Sequence, residues 1–185
     1  MLLVSPLYLE ATSTSPATAG LLITVLPFVL GVVAPVAGIA ADRFGAATVT
    51  TLGMAVVTIG LIVAALVAPN RGVLVVVLAV AGIGLGLFTP ANNATVARAG
   101  RAEQAGMVSG LLNMTRGVGT SVGVALAGAT FALTAGRGHG RAINADSAVA
   151  GWHATMLVLS IVAATGALVC ARQPRRRTTH QDDRA

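Results

Sequence analysis

Charge is nearly absent from this chain over stretches of one recurring length. Residues 20–41, 49–68, 73–92 and 152–171 contain no Asp, Glu, Lys or Arg, and 107–135 contains only Arg116. A helix rises 1.5 Å per residue, so about 20 residues span a hydrocarbon core about 30 Å thick. A water-soluble core has no need of that length five times over. The expected fold is all-α, an integral membrane protein with about five transmembrane helices over 20–41, 49–68, 73–92, 107–135 and 152–171. The fourth is longer than a crossing requires and must tilt or extend into water.

Bulk values agree, since only 18 of 185 residues are charged (12 basic and 6 acidic) and mean hydropathy is +0.84. The pI near 11.5 invites a nucleic-acid reading. However, the arginines fall mostly between and after the apolar runs, and only six aromatic side chains are present to stack on bases, so no nucleic-acid partner is expected. Cys170 is the only cysteine, which excludes an internal disulfide framework and a cysteine-based zinc site. His139, His153 and His180 share no metal-collecting spacing. No cofactor, metal or catalytic triad is indicated, and the chain is not expected to be an enzyme. Met1 is followed by Leu2, Leu3 and Val4 without a basic leader, so 1–9 reads as the stub of a preceding helix and not as a signal peptide.

The links between spans are short and hydrophilic, which suits antiparallel neighbours in a bundle. One set of links plus the tail carries Arg43, Arg98, Arg101, Arg172, Arg175, Arg176, Arg177 and Arg184, and the other only Arg71, Arg137 and Arg141. Cytoplasmic loops hold the excess of basic residues, so the C-terminus is expected inside, in a plasma (inner) membrane, with Trp152 opening the last span at the outer interface. The tail, 172–185, is expected to be solvated and disordered, its Arg175, Arg176 and Arg177 near anionic lipid headgroups.

Within the spans a few residues depart from plain apolar composition. Pro27 and Pro35 remove hydrogen bonds to the carbonyls of Ile23 and Gly31 and should bend or loosen the first helix. Gly82 and Gly86, Gly106 and Gly110, and Gly119 and Gly123 recur at four-residue spacing, the pattern of faces where helix backbones approach closely. The third and fourth spans are therefore expected to pack against protein. Asn113 and Arg116 lie on one helical face. An arginine at mid-bilayer costs about 2.5–3.5 kcal/mol on insertion scales, so Arg116 should snorkel inward, pair with a neighbouring helix's carbonyls, or line a substrate path. The sequons at Asn93 and Asn113 fall at a helix end and inside a span and are chance matches. None of the six acids, Glu10, Asp42, Glu103, Asp146, Asp182 and Asp183, sits inside a span, so this chain carries no proton relay of its own.

The first link reads Gly38, three residues, Asp42, Arg43, Phe44, Gly45. This resembles the GxxxD(R/K)xG loop of the major facilitator superfamily. Ala46 and Ala47 stand where the family often has basic residues, a departure that favours the commonly degenerate second copy of the loop. LYLEATSTSPATAGLL, GIGLGLFTPANNATVARAG and GMVSGLLNMTRGVGTSVGVALAG are similar to the last helices of the family's 14-span drug:proton antiporters.

By that resemblance the five spans form most of the C-terminal six-helix half of a major facilitator fold, and the chain is a C-terminal fragment or truncated product. The resemblance implies multidrug efflux by proton-coupled antiport in the intact protein, with hydrophobic or cationic small molecules as substrates and a missing N-terminal half as partner. It also implies that Asp42 helps hold the cytoplasmic side closed. The residues themselves suggest that Asp42 caps the second helix or pairs with a nearby arginine, and that Gly45 permits a tight reversal. A small self-associating membrane protein with a structural or accessory role is the alternative.

Overall fold

The computed structural model describes residues 16–99, 104–134 and 145–172. The stub expected at 1–9, the loop arginines Arg101, Arg137 and Arg141, and the tail beyond Arg172 lie outside those residues. The described residues form five helices and no strand: α1 Pro16–Phe44, α2 Ala46–Leu66, α3 Arg71–Ala99, α4 Ala105–Thr134 and α5 Ala145–Ala171. All five are long and apolar enough to cross a membrane. The expectation of an all-helical membrane protein holds.

Most of the helices run further than the uncharged windows. The flanking residues DRF, ANNATVARA and ADSAVAG are polar yet contain no helix breaker, so the hydrogen-bonded ladder continues past the apolar stretch. α1 is likewise uninterrupted through Pro27 and Pro35, and α3 through Pro90. α3 begins where the Asn70 side chain accepts the Val73 N–H at 2.9 Å. That contact satisfies one of the orphan donors of its first turn.

α3 is the centre of the bundle, between α1 and α2; α5 packs on α2, and α4 lies outermost against α5. The glycines of GIGLG explain how. Positions two apart sit about 200° around a helix, so Gly82 and Gly86 face one way and Gly84 the other. A Cβ added at Gly82 would lie 2.8 Å from the Leu26 carbonyl oxygen, and one at Gly86 2.9 Å from Val33 Cβ, both on α1. A Cβ at Gly84 would lie 2.7 Å from the Gly53 carbonyl oxygen of α2, and one at Gly53 2.7 Å from the Gly84 carbonyl oxygen. The two backbones therefore touch with no side chain between them.

The glycines of α4 differ from the packing expected of them. A Cβ at Gly106, Gly110, Gly119 or Gly123 would meet nothing within 4 Å. α4 is covered only near its far end, where Ala127 and Phe131 are buried in the main core with Leu74, Leu78, Trp152 and Met156. Its other half stands clear of the bundle, so these small residues have no partner helix within the described residues.

Trp152, expected at the mouth of the last span, lies near the start of α5 and packs against the end of α2. α5 begins at Ala145, and Trp152 is fully buried. Its indole Nε1–H donates to the Ala64 carbonyl at 2.9 Å, and His153 Nδ1 lies 2.6 Å from the Ala65 carbonyl. Both acceptors belong to the last turn of α2, whose carbonyls have no intrahelical donor. Since a carbonyl only accepts, His153 Nδ1 carries the proton. The last helix thus caps the second.

Candidate functional site

The end of the bundle where α1 meets α2 gathers most of the residues singled out by the sequence. α1 ends at Phe44, and Gly45 alone joins it to α2. Gly45 has φ 88 and ψ 136, a conformation essentially reserved for glycine. Its N–H donates to the Ala41 carbonyl at 3.0 Å, closing α1, while its own carbonyl accepts the N–H groups of Thr48 and Val49, opening α2. One residue is at once the end of one helix and the cap of the next. Its lack of a side chain also means that α2 starts without a side-chain cap from this position.

Asp42, Arg43 and Phe44 are exposed around this turn, and Gly38 lies one turn below Asp42 on α1 with open space beside it. The turn is fixed from beneath by a small cluster of Ala37, Ala41, Val49 and Ala91, with Ala40, Ala46 and Leu87 packed against it. Ala37 and Ala91 are fully buried. Three helices therefore converge through methyl groups alone, which sets the Asp42–Arg43 pair at a rigid corner outside the apolar stretch of α1.

Two residues beyond Ala91, Asn93 turns toward α4. Arg116 Nη2 donates to Asn93 Oδ1 at 3.1 Å, joining α3 to α4. This pairing differs in kind from a bond to backbone carbonyls, because the acceptor is a side-chain amide. Asn113, on the same face as Arg116, makes no side-chain hydrogen bond among the described residues. Four hydroxyls of α4 are occupied locally: Thr115, Thr120, Ser121 and Thr130 each donate to the carbonyl four residues back. Local bonding of this kind lets hydroxyls sit in a span at little cost.

The sequence singled out Arg116 but not Asn93 as its partner, since the two are 23 residues apart on different helices. It also overlooked Gly53 and Gly84, although the alternation in GIGLG carries the signal for the second. Among the described residues no group of three or more His, Cys, Asp or Glu is placed to hold a metal.

The sequence profile of the Major Facilitator Superfamily matches residues 1–185. The riboflavin transporter RibZ of Clostridioides difficile is 32% identical over 130 residues, 69% of this chain and 28% of that protein. An uncharacterized transporter, YebQ of Escherichia coli, is 32% identical over 124 residues, 65% of this chain and 27% of its own length. The multidrug resistance protein Stp of Mycobacterium tuberculosis is 28% identical over 134 residues, 71% of this chain and 25% of that protein. The chain thus spans between a quarter and a third of the length of these relatives. No solved structure matches.

Proposed function

Because the chain belongs to the Major Facilitator Superfamily, we propose that it forms most of the C-terminal six-helix half of a multidrug-efflux transporter. The profile match over all residues, on a chain of five spanning helices, is the observation that carries the reading. In this reading the chain lies in the plasma membrane with its C-terminus in the cytoplasm. It acts with helices it does not itself supply, consistent with the small share of each relative that it covers. The resistance protein among those relatives supports drug-like substrates with large apolar surfaces. None of the uncharged windows contains an acid and Asp42 lies at the exposed end of α1, so in a proton-coupled antiporter the titrating carboxylate belongs to the other helices.

The turn at Gly38, Asp42, Arg43 and Gly45 is the proposed gate on the cytoplasmic side. Its rigid corner supports this role, because a gate contact must be held in register while one half of the transporter rocks against the other. The open glycine face of α4 is where the partner half packs.

The test is dye efflux from efflux-deficient bacteria. The chain extended by the remaining helices should lower ethidium accumulation, collapse of the proton gradient should abolish the effect, and D42N should reduce it several-fold. The chain alone should confer none. Unchanged accumulation with the extended protein present in the membrane would refute the reading.

The open α4 face also supports a second reading, a small protein that self-associates through Gly106, Gly110, Gly119 and Gly123. It requires a stable homo-oligomer of the 185-residue chain in detergent, and a monomer would exclude it.

A further inference from the structure

The half of α4 nearest the turn leaves a cleft beside α3. From Ala105 to Val122 only Val108 and Leu112 are even partly covered. The Arg116–Asn93 hydrogen bond crosses this cleft, and among the described residues no other side-chain hydrogen bond joins the two helices. Arg116 lies 11 residues into α4, about 16 Å from its start and inside the apolar length of the helix. A guanidinium presents five N–H donors and accepts nothing. One of the five is used by Asn93.

Among the described residues the cleft offers donors in excess and no anion to receive them. Asn113, one turn nearer the helix start on the same face, adds an amide with no partner of its own. The neighbouring hydroxyl of Thr120 donates to its own backbone. Asp42, at the exposed end of α1, is the acid nearest the apolar windows of the first three helices. Asn93 holds one nitrogen of the guanidinium, which restricts the direction in which the rest of the fork points. A held, planar, doubly donating fork in an apolar setting is matched by a group with two oxygens sharing a negative charge.

We propose that Arg116, positioned by Asn93 and assisted by Asn113, binds an oxyanion, the carboxylate or phosphate of an amphipathic molecule whose apolar body lies along α4. The apolar side chains beside Arg116 are Leu112 and Val108, one and two turns before it on the same side of α4 and only partly covered. As a substrate site this rests on the transporter reading, and it narrows it: a cation brought to the cleft meets a like charge, so the cationic class suggested by the resemblance is disfavoured here. A lipid headgroup supplies the same chemistry as a small substrate anion, and the two are separable by experiment.

The test uses the 185-residue chain in a phosphate-free maltoside detergent, with two probes that share one apolar body: 1-pyrenebutanoate, and the trimethylammonium analogue of the same chain length. Binding is read from pyrene anisotropy against empty micelles. The chain should bind the carboxylate about tenfold more tightly than the ammonium. R116Q should remove that preference, R116K should keep part of it because charge remains without the fork, and N93A should weaken carboxylate binding several-fold. Competition by phosphatidylglycerol added to the micelles assigns the site to a lipid headgroup; indifference to it assigns the site to a small anion.

Equal binding of the two probes by the unaltered chain overturns the proposal without any variant. So does an R116Q protein of unchanged helicity and Trp152 emission that retains the preference. Either failure leaves the efflux test of the transporter reading untouched, because that test does not measure this site.

Discussion

Replacing Gly84 by alanine puts a methyl group where the structure has only backbone. Its Cβ would sit 2.7 Å from the Gly53 carbonyl oxygen, 2.9 Å from the Val57 nitrogen and 2.5 Å from Val57 Cγ2. Ordinary contacts begin near 3.4 Å, so α2 and α3 must separate by about 0.7 Å. A gap of that size forfeits about a quarter to a half of each dispersion contact across the crossing. Overpacking in tight sites costs about 1–3 kcal/mol. Against this, Gly to Ala in a helix gains up to about 1 kcal/mol of propensity. The net expectation for G84A is a loss of about 1–2 kcal/mol. G110A, with open space around its Cβ, gains only the propensity and should be neutral or more stable by up to about 1 kcal/mol. G53A meets the same backbone from the other side, so G53A and G84A relieve one another: once the first has moved the helices, the second costs less. The double variant should fall short of the summed losses by about 1 kcal/mol, a coupling in the usual range for contacting residues. Reversible unfolding in detergent against rising dodecyl sulfate fraction, followed by the emission of the single Trp152, measures all four proteins. A G84A protein as stable as G110A, or a strictly additive double variant, would refute the backbone crossing.

Four further outcomes are expected. G45A forces alanine into φ 88, ψ 136 and should cost about 1–3 kcal/mol in the same assay, with no close contact to blame because the space around Gly45 is empty. W152F retains an aromatic ring but strips the donor from the Ala64 carbonyl, leaving a buried acceptor unpaired, and should cost about 1–3 kcal/mol by circular dichroism. G86L drives a side chain into Val33 and should cost at least about 1–3 kcal/mol. G119L on the open face should change the stability of this chain by less than about 0.5 kcal/mol while abolishing efflux in the extended transporter.

The parts of this architecture that depend on local composition were readable from the chain. Uncharged length placed five helices, and the turn at Gly45 followed from its neighbours Asp42 and Arg43 and from the need for a reversal. The helix ends were less legible, because polar flanks without a breaker extend the ladder. The capping role of Trp152 was hidden for a related reason: its partner is the end of α2, far away in sequence. The glycine pairs show the same limit. Four-residue spacing marks a face that can be approached closely, and Gly82 and Gly86 use it, yet spacing alone does not state whether a partner is present, as Gly106 and Gly110 demonstrate. The Arg116–Asn93 bridge needs the relative placement of two helices, which no single-helix pattern contains.

The sandwich of α1, α3 and α2 has a consequence for synthesis. Its three members are consecutive in the chain, so the Gly53–Gly84 crossing joins adjacent helices, the Gly82 and Gly86 contacts enclose only α2, and all can form while later residues are still being made. The α5 cap on α2 is different, since Trp152 and Ala64 are 88 residues apart. Until α5 arrives, the last carbonyls of α2 face lipid or water without a donor, and that loop closes late. A nascent chain arrested before residue 145 should therefore hold a formed Gly53–Gly84 crossing beside an unfinished second helix, an intermediate whose exposed carbonyls mark it for recognition by whatever machinery surveys unassembled membrane segments.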